Sequence, residues 1–209
     1  MMSPVAGHFR RYSEKVARLH GYENWKKAHD KGKGVLFASC HLANWEMLGA
    51  MGGLAGMELT IVTRRITPAW LLRKMENVRL SVNVKAAYQP RTLPTVLKAL
   101  RRGETIGFVI DQYAPPPMGV KVNFFGVDVD TLSAVAPLSL RTGAPIVPVR
   151  AHRDKKGVIH VTMEPELQLG DTLKDPKQST QIIANKVEAW IRQHPEQWLW
   201  VHRRFKNID

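Results

Sequence analysis

His41 and Glu46, in the run His41-Leu42-Ala43-Asn44-Trp45-Glu46, have the residue types for base chemistry near neutral pH. An imidazole takes a proton from a hydroxyl, and a carboxylate in the first turn of a following helix can fold back to fix its tautomer and stabilise the imidazolium. On residue types alone, a surface histidine beside a glutamate that favours a helix N-terminus fits the same spacing. Asp111-Gln112 forms a second polar pair at the end of an apolar run. Cys40 is the single cysteine and precedes His41, but adjacent strand residues point to opposite faces, so a Cys–His nucleophile is not expected. None of the eight histidines has the spacing of an HExxH helix, and no CxxC is present. Gly32-Lys33-Gly34 precedes a strand instead of following one, and there is no GxGxxG or Walker loop. Metal and nucleotide chemistry are disfavoured, and no metal site or resident cofactor is expected.

These residues need elements to hold them. Phe9, Tyr12, Val16 and Leu19 recur at helical spacing among Arg10, Arg11, Lys15 and Arg18, which predicts an amphipathic helix over 9–19. Val35 to Cys40 reads as a strand buried on both faces. Asn44 then caps a helix to about Gly56, and a strand is expected over 58–63. A helix from Pro68 to about Val78, a strand over 82–87 and a helix over 90–102 follow. Gly103 stops that helix, and Thr105 to Ile110 is another buried strand. After Pro115-Pro116-Pro117 the sequence predicts an extended piece to Phe125, a helix over 132–141 and a strand over 145–151. A hairpin partner at 158–163 and a last helix over 175–193 complete the chain. Strands alternating with helices call for an α/β single-domain sandwich, its largely parallel central sheet flanked by helices. In such sheets, ligands bind beyond the carboxyl ends of the strands, where both polar pairs fall. The expected division is a basic N-terminal helical arm, 1–31, and a domain, 32–209.

The composition limits the classes of function. The chain has 209 residues with 31 Lys+Arg against 18 Asp+Glu, a net charge of +13, and 44% hydrophobic residues, which is globular composition. One cysteine allows no internal disulfide, and the expectation is a reducing compartment. No run of eighteen apolar residues occurs and the first twenty residues lack a signal-peptide core, so a chain that neither spans a bilayer nor is exported is expected. The charge is concentrated: residues 1–33 hold eight Lys/Arg against three acids, and residues 64–102 hold ten against one. Such stretches suit solvated helix faces or a patch for a polyanion. A nucleic-acid partner is not expected, because no helix-turn-helix signature, zinc ligands or aromatic single-strand platform accompanies the charge.

Read together, HLANWE at 41–46, Asp111-Gln112, Phe124-Phe125-Gly126, RTGAPIVPV at 141–149 and PEQWLWVHRRFK at 195–206 resemble the bacterial lipid A biosynthesis acyltransferases. These belong to the wider lysophospholipid acyltransferase-like superfamily, and the motifs occur in that family's order. The resemblance implies that His41 is the general base and Glu46 its partner, and that an acceptor hydroxyl attacks the thioester of acyl carrier protein or coenzyme A. It further implies substrate-binding roles for Asn44, Arg79, Asp111 and Gln112, with Arg79 alternatively an exposed helix arginine. The implied acceptor is a hydroxyl of an anionic lipid A precursor, or alternatively a lysophospholipid, glycerophosphate or aminolipid. The implied location is the cytoplasmic face of the inner membrane, reached by peripheral membrane contact. The segment 9–19 is the candidate interfacial anchor; packing of that helix on the core is the favoured reading of it, and the two are compatible. For Trp198, Trp200, Arg203 and Arg204, packing of the C-terminal segment is expected. Family members usually begin with a membrane-spanning helix, and no segment of this sequence is expected to form one.

Overall fold

The structure is a computed structural model that describes residues 4–90 and 92–206, with side chains from His8 onward. Helix α1 (Pro4–Val16) runs into strand β1 (Ala17–His20) and helix α2 (Tyr22–His29). Then β2 (Val35–Ser39), α3 (Trp45–Leu54), β3 (Leu59–Thr63), α4 (Ala69–Ser81), β4 (Val84–Tyr88), α5 (Leu93–Arg101) and β5 (Thr105–Val109) alternate. A hairpin of β6 (Gly119–Phe124) and β7 (Val127–Leu132) follows, then α6 (Val135–Thr142), β8 (Ile146–Arg153), β9 (Ile159–Met163) and α7 (Pro176–Gln193). Seven strands form one sheet in the order β1-β9-β8-β2-β5-β3-β4. The five from β8 to β4 are mutually parallel, β9 runs antiparallel to β8, and β1 lies parallel to β9.

The alternation of strand side chains divides the core into two layers. Leu36, Ala38, Cys40, Ile106, Phe108 and Ile110 face a layer supplied by α5, α6 and α7, including Val96, Leu138, Val187, Trp190 and Ile191. Val35, Phe37, Leu59, Val84, Val147 and Val149 face the other layer, under α2 and α3, with Trp25, Met47 and Leu48. All five residues of β2 are buried, which is why its sequence is a continuous apolar run and not an alternating one.

Three expectations need correction. The N-terminal helix stops at Val16, and Ala17–His20 pair in register with Ile159–Thr162 as an edge strand of the central sheet. Ala17 and Leu19 point to the core, an alternation too short to compete with the helical spacing that precedes it. Phe9, Val16 and Leu19 pack on the core while Tyr12 is exposed, in keeping with the core-packing reading of this segment. The boundary at 31/32 coincides with no structural break, since β1 belongs to the sheet and α2 buries Trp25 and Ala28. The second correction is β7. Phe125 and Gly126, at φ 56 and 82, form a two-residue turn between Phe124 and Val127, the geometry that favours an X-Gly pair. Residues 127–132 therefore return as a strand, and α6 begins only at Val135. Third, the helix expected over 90–102 begins at Leu93; Arg91, within the expected span, lies outside the described residues.

Among the described residues, no helix is long and apolar enough to cross a membrane. Helix α3 owes its close seat on the sheet to glycine. A Cβ on Gly53 would stand 1.7 Å from the Val82 carbonyl oxygen, whereas one on Gly49 would meet Leu59 at an ordinary 3.6 Å. Gly53→Ala is therefore expected to destabilise the protein by about 3 kcal/mol through overpacking. Gly49→Ala, which gains helix propensity without a clash, should be neutral or stabilising. Urea unfolding midpoints of the two variants check this contrast.

Candidate active site

The two polar pairs meet because their strands are neighbours. Strands β2 and β5 run parallel with Ser39 opposite Val109, and Ile110 N–H donates to the Ser39 carbonyl at 3.0 Å. Continuing that register by two residues puts His41 opposite Asp111, both beyond the carboxyl ends of their strands. Asp111 Oδ1 lies 2.7 Å from His41 Nδ1, and Asp111 Oδ2 accepts the His41 backbone N–H at 2.8 Å. Trp198 Nε1–H donates to the same Oδ2 at 2.7 Å. Asp111 is 3% exposed. Burial pushes its carboxyl up, but the His41 hydrogen bond and charge, the Trp198 indole and the His41 amide together hold it below the usual carboxylate range. An ionised Asp111 can only accept, so the Nδ1 proton sits between ring and carboxylate, and in the neutral ring the lone pair is the one on Nε2, on the cleft side.

The loop bearing His41 is clamped from the far end of the chain. Leu42 bridges Trp198, Ala43 N–H donates to the Gln197 carbonyl at 2.8 Å, and Leu199 N–H donates to the His41 carbonyl at 3.1 Å. These bonds fix Ala43 at φ 49. Trp198 is packed in turn by Phe124, Phe125 and Trp200. Fully buried Arg204 ties the tail to the Gln112 and Asp130 carbonyls and the Thr131 hydroxyl, with its guanidinium over the Phe124 ring. Burial lowers the Arg204 pKa to about 10, which leaves it charged at neutral pH. The Phe-Phe-Gly turn and the C-terminal motif are thus one packing unit behind the histidine.

Glu46 does not partner His41. It heads α3 and forms a forked pair with Arg79 of α4, at 2.5 Å to Nη2 and 3.2 Å to Nε. Spacing along the sequence suggested the contact with His41; the parallel register brings Asp111 there instead, and Glu46 neutralises a guanidinium that is only 9% exposed. Arg79 is accordingly no surface arginine. His41, Glu46, Arg79 and Gln112 all line one cleft, and the Gln112 amide nitrogen lies 3.4 Å from His41 Nε2. Asp111 sits behind the histidine and does not line the cleft. Nor does Asn44, which is half-buried at the start of α3, where its carbonyl accepts the Met47 N–H. Cys40 lies in the opposite layer, and burial raises its thiol pKa well above the usual value, so it has no nucleophilic character.

The cleft encloses about 320 Å³ between the sheet and helices α3 and α4. His41, Glu46, Arg79, Arg64 and Gln112 supply polar groups, and Phe37, Leu48, Leu59, Ile61 and Val84 an apolar wall. Gly49 and Gly107 leave space there that side chains would fill. Two residues that line or support the site were not predicted from sequence. Ser39 shows only as the residue two before His41 on a strand, hence on the same face. Trp198 has no local signal for its contact with Asp111, which is 87 residues distant in sequence.

A folded carboxyl held below its unfolded value of about 3.9 adds stability that is complete above that value and lost as the pH falls through the folded one. The stability gap between wild type and Asp111→Asn should therefore narrow as urea unfolding is repeated from about pH 6 to about pH 3. Trp198→Phe, which deletes only the indole donor, should cost about 2 kcal/mol as a lost hydrogen bond to a charged acceptor. Its Asp111 carboxyl should titrate at higher pH than in wild type, measured by carbon-13 chemical shift.

Residues 7–207 match the family described as bacterial lipid A biosynthesis acyltransferase. The chain is 28% identical over 191 residues to a lipid A biosynthesis palmitoleoyltransferase of Escherichia coli (strain K12), covering 90% of this chain and 61% of that protein. It is 27% identical over 191 residues to the lipid A biosynthesis lauroyltransferase of the same organism, covering 89% and 60%. A phosphatidylinositol mannoside acyltransferase of Mycolicibacterium smegmatis is 27% identical over 174 residues, covering 82% and 56%. The chain thus spans about three fifths of the length of the lipid A relatives it matches. With the family match running through the His41 loop, the Asp111 strand end and the C-terminal clamp, the chain belongs to the bacterial lipid A biosynthesis acyltransferase family.

Proposed function

We propose that this chain transfers a fatty acyl group from a thioester donor, acyl carrier protein or coenzyme A, to a hydroxyl of a lipid acceptor. The observation that carries this reading is a carboxylate-oriented imidazole opening onto a cleft with an apolar wall. An alcohol is a poor nucleophile at its own pKa, and a positioned base is what it needs. His41 Nε2 accepts the acceptor's hydroxyl proton as the oxygen bonds to the thioester carbonyl carbon. The tetrahedral adduct then collapses, the carbon–sulfur bond breaks, and the leaving thiolate takes the proton from the imidazolium. Asp111 stabilises that imidazolium and keeps the lone pair on Nε2 before reaction. The apolar wall suits the hydrocarbon chain.

Glu46 and Arg79 face the cleft beside His41, where a guanidinium can meet an anionic group of donor or acceptor. Arg64 lines the cleft and is exposed, and the chain that follows it exposes Arg65, Arg73 and Lys74, with Trp70 60% exposed. That combination of basic and aromatic side chains supports docking to an anionic membrane surface or an acidic carrier protein. A lipid A precursor is the leading acceptor because the family and the Escherichia coli relatives bear that name. The relatives named for phosphatidylinositol mannoside favour a second reading, in which the same machinery acylates another lipid hydroxyl.

The test is transfer from radiolabelled acyl carrier protein and acyl coenzyme A to a panel of lipid acceptors. His41→Ala should lower kcat by about 10³- to 10⁴-fold, at the upper end of what a general base supplies, while the protein remains folded. Near-wild-type activity in His41→Ala would rule the mechanism out. Charge reversal at Arg73 and Lys74 should raise KM at low salt and lose its effect at high salt, since exposed charges are screened. Absence of that salt dependence would remove the docking role assigned to this surface.

A further inference from the structure

Strand β2 presents Phe37, Ser39 and the following His41 on its cleft side, two residues apart, while Leu36, Ala38 and Cys40 face the opposite layer. Ser39 is the polar member of an otherwise apolar strand, and it is 4% exposed. Its hydroxyl has no hydrogen-bond partner among the described residues. The neighbours across the sheet give it none, since Val109 stands opposite on β5 and Val149 faces the same layer on β8. Its carbonyl is committed to the Ile110 N–H of the sheet ladder. A buried hydroxyl with no partner is less stable than alanine in its place, and serine is a weaker strand former than the valines around it. The fold gains nothing from this group. It lines the cleft between the base and the apolar residues Phe37 and Ile61.

A ligand that reaches from His41 into that apolar space has little to offer a hydroxyl. A fatty acyl group carries one polar atom near its reacting end, the carbonyl oxygen. We infer that Ser39 is a catalytic residue whose hydroxyl donates a hydrogen bond to the acyl carbonyl oxygen of the donor thioester; the inference rests on the acyl-transfer reading above. In the ground state that oxygen is a weak acceptor. When the acceptor oxygen bonds to the carbonyl carbon and its proton passes to His41, the carbonyl electron pair moves onto that oxygen, and the bond from Ser39 becomes charge-assisted. The pair returns as the carbon–sulfur bond breaks and the thiolate is protonated from His41. The Ser39 hydroxyl keeps its own proton throughout. The stabilisation is greatest in the transition state, so it belongs in kcat more than in KM.

The experiment compares wild type, Ser39→Ala, Ser39→Thr and His41→Ala by thermal unfolding and by acyl-transfer kinetics across pH. Ser39→Ala is expected to unfold at the same or a higher temperature than wild type. Its kcat should fall about 10²- to 10³-fold, as for loss of one oxyanion donor, with little change in KM and an unshifted pH profile. Ser39→Thr, which keeps the hydroxyl, should recover most of that loss. A Ser39→Ala enzyme with wild-type kcat, while His41→Ala is inactive, overturns the role of Ser39 and leaves the acyl-transfer reading intact. A lower unfolding temperature would mean that the hydroxyl serves the fold, and a shifted pH profile that it acts through His41; either overturns the inference. Equal losses in the alanine and threonine variants would assign the defect to packing and overturn it too. Absence of transfer by wild type with both donors and the whole acceptor panel would remove the underlying reading, and this inference with it.

Discussion

The hydrogen bond between His41 Nδ1 and Asp111 is the contact on which the rest of the site depends. It exists because β2 and β5 are adjacent and parallel, so two chain segments 70 residues apart end at the same level of the sheet. A buried carboxylate is costly unless its charge is met by donors, and Asp111 has three: the imidazole, the His41 amide and the Trp198 indole. Each donor constrains a different part of the molecule. The imidazole bond sets the tautomer, the amide bond fixes the loop after β2, and the indole bond brings the C-terminal tail over the site. The hairpin β6–β7 and Arg204 then hold that tail in place. The FFG turn and the PEQWLW segment together form the wall behind the His41 imidazole.

On the other side of the imidazole, the charged side chains Glu46 and Arg79 pair with each other and not with the histidine. Glu46 and Arg79 satisfy one another at the cleft, which keeps a nearly buried guanidinium paired where it lines that space. Two carboxylates flank the site with different partners, Asp111 buried behind His41 and Glu46 45% exposed beside Arg79. The cleft continues beneath α3 because glycines let helix and sheet approach closely and leave unfilled space between them.

Much of this was legible in the sequence. The continuous apolar runs at 35–40 and 105–110 identified buried parallel strands, and the polar residues at their ends located the site. What one-dimensional spacing cannot supply is strand order. Glu46, five residues from His41, looked like its partner; Asp111 holds that position because β2 and β5 are neighbours, a fact settled by packing and not by any local pattern. The same limit hid the contact of Trp198. Strand β1 is not legible for a different reason, since four residues alternate too briefly to interrupt a helical period. Strand β7 was legible in principle: Phe125-Gly126 followed by Val-Asp-Val-Asp carries both a turn signal and an alternation.

Asp111, and not Glu46, is the carboxylate in contact with the His41 ring. Long-range nitrogen–proton correlation spectra of protein labelled with nitrogen-15 in histidine read the state of that ring directly. In the neutral form, His41 should carry its proton on Nδ1, with Nε2 unprotonated, and Glu46→Gln should leave that pattern unchanged. A proton on Nε2 in neutral wild type, or a tautomer that switches in Glu46→Gln, would contradict the pairing of His41 with Asp111.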